Sequence, residues 1–123
     1  MVKSNQEKDL LLSLIVKGIE EVKGQDIDIL DLRHIENTPC DYFIICNGSS
    51  NTQVNAIVNS VQRVVSKEIK DKPWHVEGQI NAEWVLMDYI DVVLHVFQKH
   101  IREYYNIEGL WGDAKTIKFT SQQ

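Results

Sequence analysis

The stretch YFIICNGSSNTQVNAIVNSVQRVV, Tyr42 to Val65, decides the fold class. Tyr42-Phe43-Ile44-Ile45-Cys46 is an unbroken apolar run, the pattern of a strand covered on both faces. Asn47-Gly48-Ser49-Ser50 follows as a turn rich in helix-capping side chains. Beyond it Val54, Ile57, Val58, Val61, Val64 and Val65 recur at helical spacing and make one apolar stripe. Their β-branched side chains are poor helix formers, but packing of such a stripe outweighs propensity. A buried strand, a tight turn and an amphipathic helix in succession point to a layered α/β or α+β fold.

Working outward toward the N-terminus, Thr38-Pro39 punctuates a loop and Ile27 to Leu32 reads as a strand. Before it, Ser4-x-x-Glu7 is a capping box that opens a first helix. Leu11, Ile15, Ile19 and Val22 give that helix its apolar face, and Gly24 is its stop signal. Toward the C-terminus, Pro73 ends a polar connection and Trp74-His75-Val76 is a short strand. Trp84 to Asp88 and Val92 to Phe97 read as two strands joined around Tyr89-Ile90-Asp91. Lys99 to Asn106 reads as a short third helix, and Leu110 and Trp111 are expected to fold back onto the body. Together these elements predict a mixed β-sheet flanked by helices in one domain, residues 1–119, with a mobile tail over 120–123.

At 123 residues and 14.2 kDa the chain has one domain's worth of sequence, and about two-thirds of its surface is expected to be buried on folding. With 43% hydrophobic and 25% charged residues, disorder across the whole chain is excluded. The formal net charge of −5 makes direct binding of a phosphate backbone a poor expectation, because that affinity is supplied by cations. Work near nucleic acid would instead run through a basic protein. Five residues separate Cys40 from Cys46, a spacing that matches no zinc or redox motif, and Cys46, at the end of an apolar run, reads as a buried free thiol. The polar, acidic N-terminus does not resemble a targeting peptide and no apolar run is long enough to span a bilayer, so a cytoplasmic protein is expected.

Two regions carry possible chemistry. The Gly48-Ser49-Ser50 turn, between strand and helix, could seat an anion, and it has the look of the Gly-Ser turn of nucleotidyltransferases. Such enzymes need clustered carboxylates nearby to hold metal ions, and no Asp or Glu occurs from Tyr42 to Lys67. A capped helix start is the simpler reading, with a nucleotidyltransferase-fold enzyme as the alternative. None of His34, His75, His95 and His100 has metal-ligand spacing, and His95, inside a strand, reads as a hydrogen-bonded structural histidine. No metal and no cofactor is expected.

The second region, Pro73 to Gln98, holds Glu77, Glu83, Asp88 and Asp91 and no Lys or Arg, so it carries −4 of the chain's −5. Eight of the ten aromatic residues lie after Pro73. An acidic, aromatic hairpin suits docking of a basic partner, since aromatics anchor by burial while carboxylates steer and select. It equally suits a hairpin whose rings are core and whose acids are solvated. Alternation puts Trp84, Leu86 and Asp88 on one face and Val85, Met87 and Tyr89 on the other, so the two sets are not exposed together within the strand.

Three blocks in this half are recognisable: Glu77-Gly78, Trp84-Val85-Leu86-Met87-Asp88-Tyr89-x-Asp91-Val92-Val93-Leu94-His95-Val96-Phe97, and Arg102-x-Tyr104-Tyr105-x-Ile107-Glu108-x-Leu110-Trp111. With Lys23-Gly24-Gln25-Asp26, Asp41 to Cys46 and Gly48-Ser49-Ser50 upstream, they resemble, in order, the bacterial ribosomal silencing factor family, RsfS or Iojap-like. The resemblance covers roughly residues 8–113. It implies a mixed-sheet domain related in fold to nucleotidyltransferases, homodimeric and without catalysis. It also implies binding to the large ribosomal subunit through ribosomal protein uL fourteen, which blocks joining of the small subunit and represses translation under nutrient limitation. Carried over by position, the partner-binding residues are Trp84, Asp88 and Tyr89, then Met87 and Glu77. The family often has Gly where this chain has Ile90, and a turn requiring positive φ would penalise a β-branched residue.

Overall fold

A computed structural model describes residues 3–118. The expected mobile tail, 120–123, lies outside the described residues. The chain runs α1 (Asn5–Glu21), β1 (Gln25–Asp31), β2 (Tyr42–Gly48), α2 (Asn51–Ile69), β3 (His75–Glu77), β4 (Trp84–Asp88), β5 (Val92–Gln98), α3 (Lys99–Tyr105), α4 (Ile107–Leu110) and β6 (Lys115–Lys118). The six strands form one sheet in the order β3-β4-β5-β2-β1-β6. Only the central β2–β5 pair is parallel; the other four pairings are antiparallel. The mixed sheet expected from the sequence is present.

β2 is apolar throughout because both of its faces are covered. Tyr42, Ile44 and Cys46 enter the core beneath α1 and α2, while Phe43 and Ile45 enter a second core on the opposite face. The first core takes the stripes of both helices, including Leu11, Ile15 and Ile19 of α1 and Val54, Ile57, Val61 and Val65 of α2. The two helices approach closely at Gly18, where a Cβ would stand 2.7 Å from the Val61 Cα, and the Ser60 hydroxyl donates to the Gly18 carbonyl at 2.7 Å. The second core is smaller. Ile107 of α4, with Ile101 and Trp111, closes it over Leu30, Phe43, Ile45, Val93 and Phe97. Cys40 and Cys46 are free, buried and on opposite faces, and burial pushes both thiols up to about 12.

Ser4 caps α1 with the reciprocal Glu7 bond of a capping box, as the sequence predicts. α4 and the edge strand β6 were not anticipated: each has four residues, too short to display a period.

The β4–β5 turn carries backbone strain. Ile90 sits at φ +76°, and Asp91 N–H donates to the Tyr89 carbonyl at 3.0 Å, the i to i+2 bond of a γ-turn. The turn is held by Tyr89 N–H to the Val92 carbonyl at 2.9 Å and Ile90 N–H to Asp88 Oδ1 at 2.7 Å. A β-branched residue at positive φ costs about 1–2 kcal/mol, and glycine returns about 0.5–1 kcal/mol of that as extra entropy of the unfolded chain. Ile90 is 60% exposed and loses little packing on removal. Ile90→Gly is therefore expected to stabilise the fold by about 0.5–1 kcal/mol, read as a higher urea midpoint. A lower midpoint would show that the turn is not strained.

Candidate partner-docking face

β3, β4 and β5 build the site. Their register places side chains in cross-strand rows on one face: His75, Asp88 and Val93; then Glu77, Leu86 and His95; then Trp84 and Phe97. This face is opposite α1 and α2. Toward β5 and β2 it is covered by α3, but toward the β3 edge it opens to solvent, with Glu77 and His75 exposed and Trp84, Leu86 and Asp88 half-buried. Of the five residues expected to bind a partner, Trp84, Asp88 and Glu77 share this face. Met87 and Tyr89 do not, because alternation along β4 and into its turn sends them the other way. Both are sealed in the core beneath the helices, with Met87 0% and Tyr89 2% exposed. Burial, with Asp71 nearby, raises the Tyr89 phenol well above its ordinary range.

Trp84 is a fixed ring. Its indole Nε1–H donates to His95 Nδ1 at 3.0 Å. It stacks on Phe97 with ring centroids 4.8 Å apart and meets Tyr105 of α3 at 4.9 Å. His95 must be neutral, with its proton on Nε2, to accept that bond at Nδ1. It is 5% exposed, meets Phe43 edge-on at 4.7 Å, and burial depresses its pKa to about 4. The structural role expected for His95 is observed, and its task is to hold the tryptophan.

Beside Trp84 the loop from Gly78 to Glu83 and helix α3 enclose an open groove of about 430 Å³. The loop is pinned. Gly78, at φ +95°, lies so close to the Trp84 carbonyl that a Cβ there would clash with the oxygen, and Ala82 N–H donates to the Gly78 carbonyl at 2.9 Å. Glu77, Glu83, Ile80, Trp84, Ile101 and Tyr105 are among the groove residues, and none is Lys or Arg. Sequence reading put Leu86 on the same face as Trp84 and Asp88 but missed Ile80 and Tyr105 as members of this surface. Ile80, isolated between Gln79 and Asn81, carried a local signal; the approach of Tyr105 to Trp84 is long-range and carried none.

The Gly48-Ser49-Ser50 turn is a capped helix start. Ser50 Oγ accepts from Gln53 N–H at 3.1 Å, and the Ser49 amide, the donor an anion would use, is taken by Gln53 Oε1 at 2.6 Å. Gln53 Nε2 in turn donates to the Val22 and Lys23 carbonyls, tying the turn to the end of α1. Among the described residues no group of three or more His, Cys, Asp or Glu converges as a metal site. No helix there is long and apolar enough to cross a membrane.

The family model described as "ribosomal silencing factor during starvation", RsfS, matches residues 4–123. A ribosomal silencing factor RsfS from Halalkalibacterium halodurans is 42% identical over 118 residues, covering 94% of each chain. A crystal structure from Bacillus halodurans superposes with a TM-score of 0.77 at 37% identity, over 90% of this chain and 99% of that one. A Chromobacterium violaceum protein superposes with a TM-score of 0.79 at 37% identity, over 92% of both. Sequence and fold thus converge along nearly the whole length, and the chain belongs to the RsfS family of ribosomal silencing factors.

Proposed function

We propose that this chain silences translation by docking on the large ribosomal subunit, through the basic ribosomal protein uL fourteen, and physically blocking association with the small subunit when nutrients are scarce. It does so without catalysis, in the cytoplasm and as a homodimer. The observation that carries this reading is the open face of β3 and β4. Trp84 is held there by His95 and Phe97, with Glu77 in the next cross-strand row and Asp88 at the far end of β4. A preset aromatic costs little entropy to bury against a partner, and carboxylates beside it favour a cationic protein while repelling RNA phosphates. Met87 and Tyr89 support the face from beneath by packing β4 onto the helices; Trp84, Asp88 and Glu77 make the contact, with Leu86 joining them.

The test is co-sedimentation with isolated large subunits, followed by light scattering during subunit joining. The wild-type protein is expected to sediment with large subunits and to slow joining with no nucleotide added. Trp84→Ala is expected to weaken binding by about 2 kcal/mol, close to 30-fold, if the ring is a buried anchor. Its far-UV spectrum should remain native, since a half-buried ring at the edge of the smaller core is lost. A folded Trp84→Ala protein of unchanged affinity would remove this face from the interface.

A further inference from the structure

We propose that the groove between the Gly78–Glu83 loop and α3 is a seat for one arginine side chain of the basic partner. This rests on the reading of the β3–β4 face as the docking surface and names what that surface recognises. The floor is an aromatic corner: the Trp84 and Tyr105 ring centroids are 4.9 Å apart and their planes are tilted by 48°. The Trp84 N–H is already spent on His95, so the ring offers its π surface rather than a donor. Ile80, 98% exposed, and the half-buried Ile101 supply apolar wall for an aliphatic stem. Glu77 and Glu83 supply two carboxylates. Among the described residues the Glu77 carboxylate bonds only to the exposed His75, at 3.1 Å, and the Glu83 carboxylate has no hydrogen bond or ion pair.

A flat, weakly hydrated cation on a long apolar stem satisfies all three features together. A guanidinium stacks on rings and forks to a carboxylate, whereas an ammonium is a compact, strongly hydrated point charge that stacks poorly. The stem covers the isoleucines while the head reaches the acids. Because the Gly78 contact and the Ala82 bond hold the loop in place, the seat exists before binding and little ordering cost is added.

The probe is acetyl-arginine amide, titrated into the ¹⁵N-labelled full chain, with acetyl-lysine amide and the uncharged acetyl-citrulline amide alongside. Arginine amide is expected to shift the Trp84 indole signal and the amides of residues 77–84 and 105 saturably. Its affinity should be at least threefold above that of lysine amide, with no saturable shift from citrulline amide. Glu83→Gln changes only an exposed carboxylate, and it is expected to weaken the arginine response up to about fivefold and to weaken large-subunit co-sedimentation in parallel. Equal responses to citrulline amide and arginine amide, or shifts spread evenly over acidic residues remote from the groove, would overturn the arginine seat. So would wild-type co-sedimentation that Glu83→Gln leaves unchanged. A wild-type protein that fails to sediment with large subunits, yet binds arginine amide in the groove, would overturn the docking assignment and leave the seat standing.

Discussion

Arg102→Met is expected to destabilise the protein by about 3–5 kcal/mol, the loss seen when one member of a buried ion network is removed. Arg102 is 9% exposed and every arm of its guanidinium is engaged. Nε and Nη2 donate to Glu108 Oε2 at 3.0 and 2.8 Å, and Nη2 also donates to Asp28 Oδ2 at 2.9 Å. Nη1 donates to the Asp26 carbonyl at 2.6 Å and to Asn47 Oδ1 at 2.7 Å. These bonds join α3 to α4, to the irregular start of β1 and to the end of β2. β1 slips register between Gln25 and Asp28, with Asp26 at φ +53°, and the carbonyl this irregularity turns away from the ladder is the one Arg102 takes. Methionine keeps the stem's packing but removes the cation from beside Asp28, itself 6% exposed. Arg102→Lys is expected to recover only part of the loss, since one ammonium cannot reach four acceptors in a fork. Urea denaturation of the three proteins decides it. A Met variant within about 1 kcal/mol of wild type would show that the network is not what fastens the second core.

That network also marks where sequence reading stopped. The strands and helices of the first core were legible because each is long enough to show its period. The α2 stripe buries one face of a helix, the run through β2 buries both faces of a strand, and Ser4 with Glu7 announces α1 locally. The sharing of β4 between two faces was also legible, since alternation alone separates Trp84 from Met87. What alternation could not say was which face α1 and α2 would cover. That choice sent Met87 and Tyr89 into the core and left Trp84, Asp88 and Glu77 at the surface. Arg102 meets Asp28 across 74 residues and Asn47 across 55, contacts that no local pattern encodes. His95 stood out as a polar residue in an apolar strand, but its partner was invisible until β4 was laid beside β5, with Leu86 opposite His95 and Trp84 one row away.

The partnership of His95 with Trp84 gives the fold a defined acid sensitivity. Burial holds the folded-state pKa of His95 near 4, against about 6.5 in an unfolded chain. Above pH 6.5 the imidazole is neutral in both states and contributes no pH dependence. Below 6.5 the unfolded chain takes up a proton that the folded chain refuses, so stability falls as pH falls. The loss accumulates to about 3 kcal/mol as pH approaches 4 and then stops growing, because the folded form titrates as well. Asp31 acts in a lower window. The Arg33 guanidinium holds its carboxyl down at about 2, so the stability it adds is complete above pH 4 and lost only as pH drops toward 2. His34, His75 and His100 are solvent-exposed, unlike His95. His95→Gln retains an acceptor for the indole without a titrating group. Its stability between pH 6.5 and 4.5 is expected to be much flatter than that of the wild type, in urea melts at matched ionic strength. The wild-type Trp84 ring should loosen only near and below pH 4, where the folded protein itself protonates His95, because a protonated His95 carries a hydrogen on Nδ1 and cannot accept from the indole. Equal acid slopes in the two proteins would place the proton uptake elsewhere and detach the docking tryptophan from the charge of the histidine beneath it.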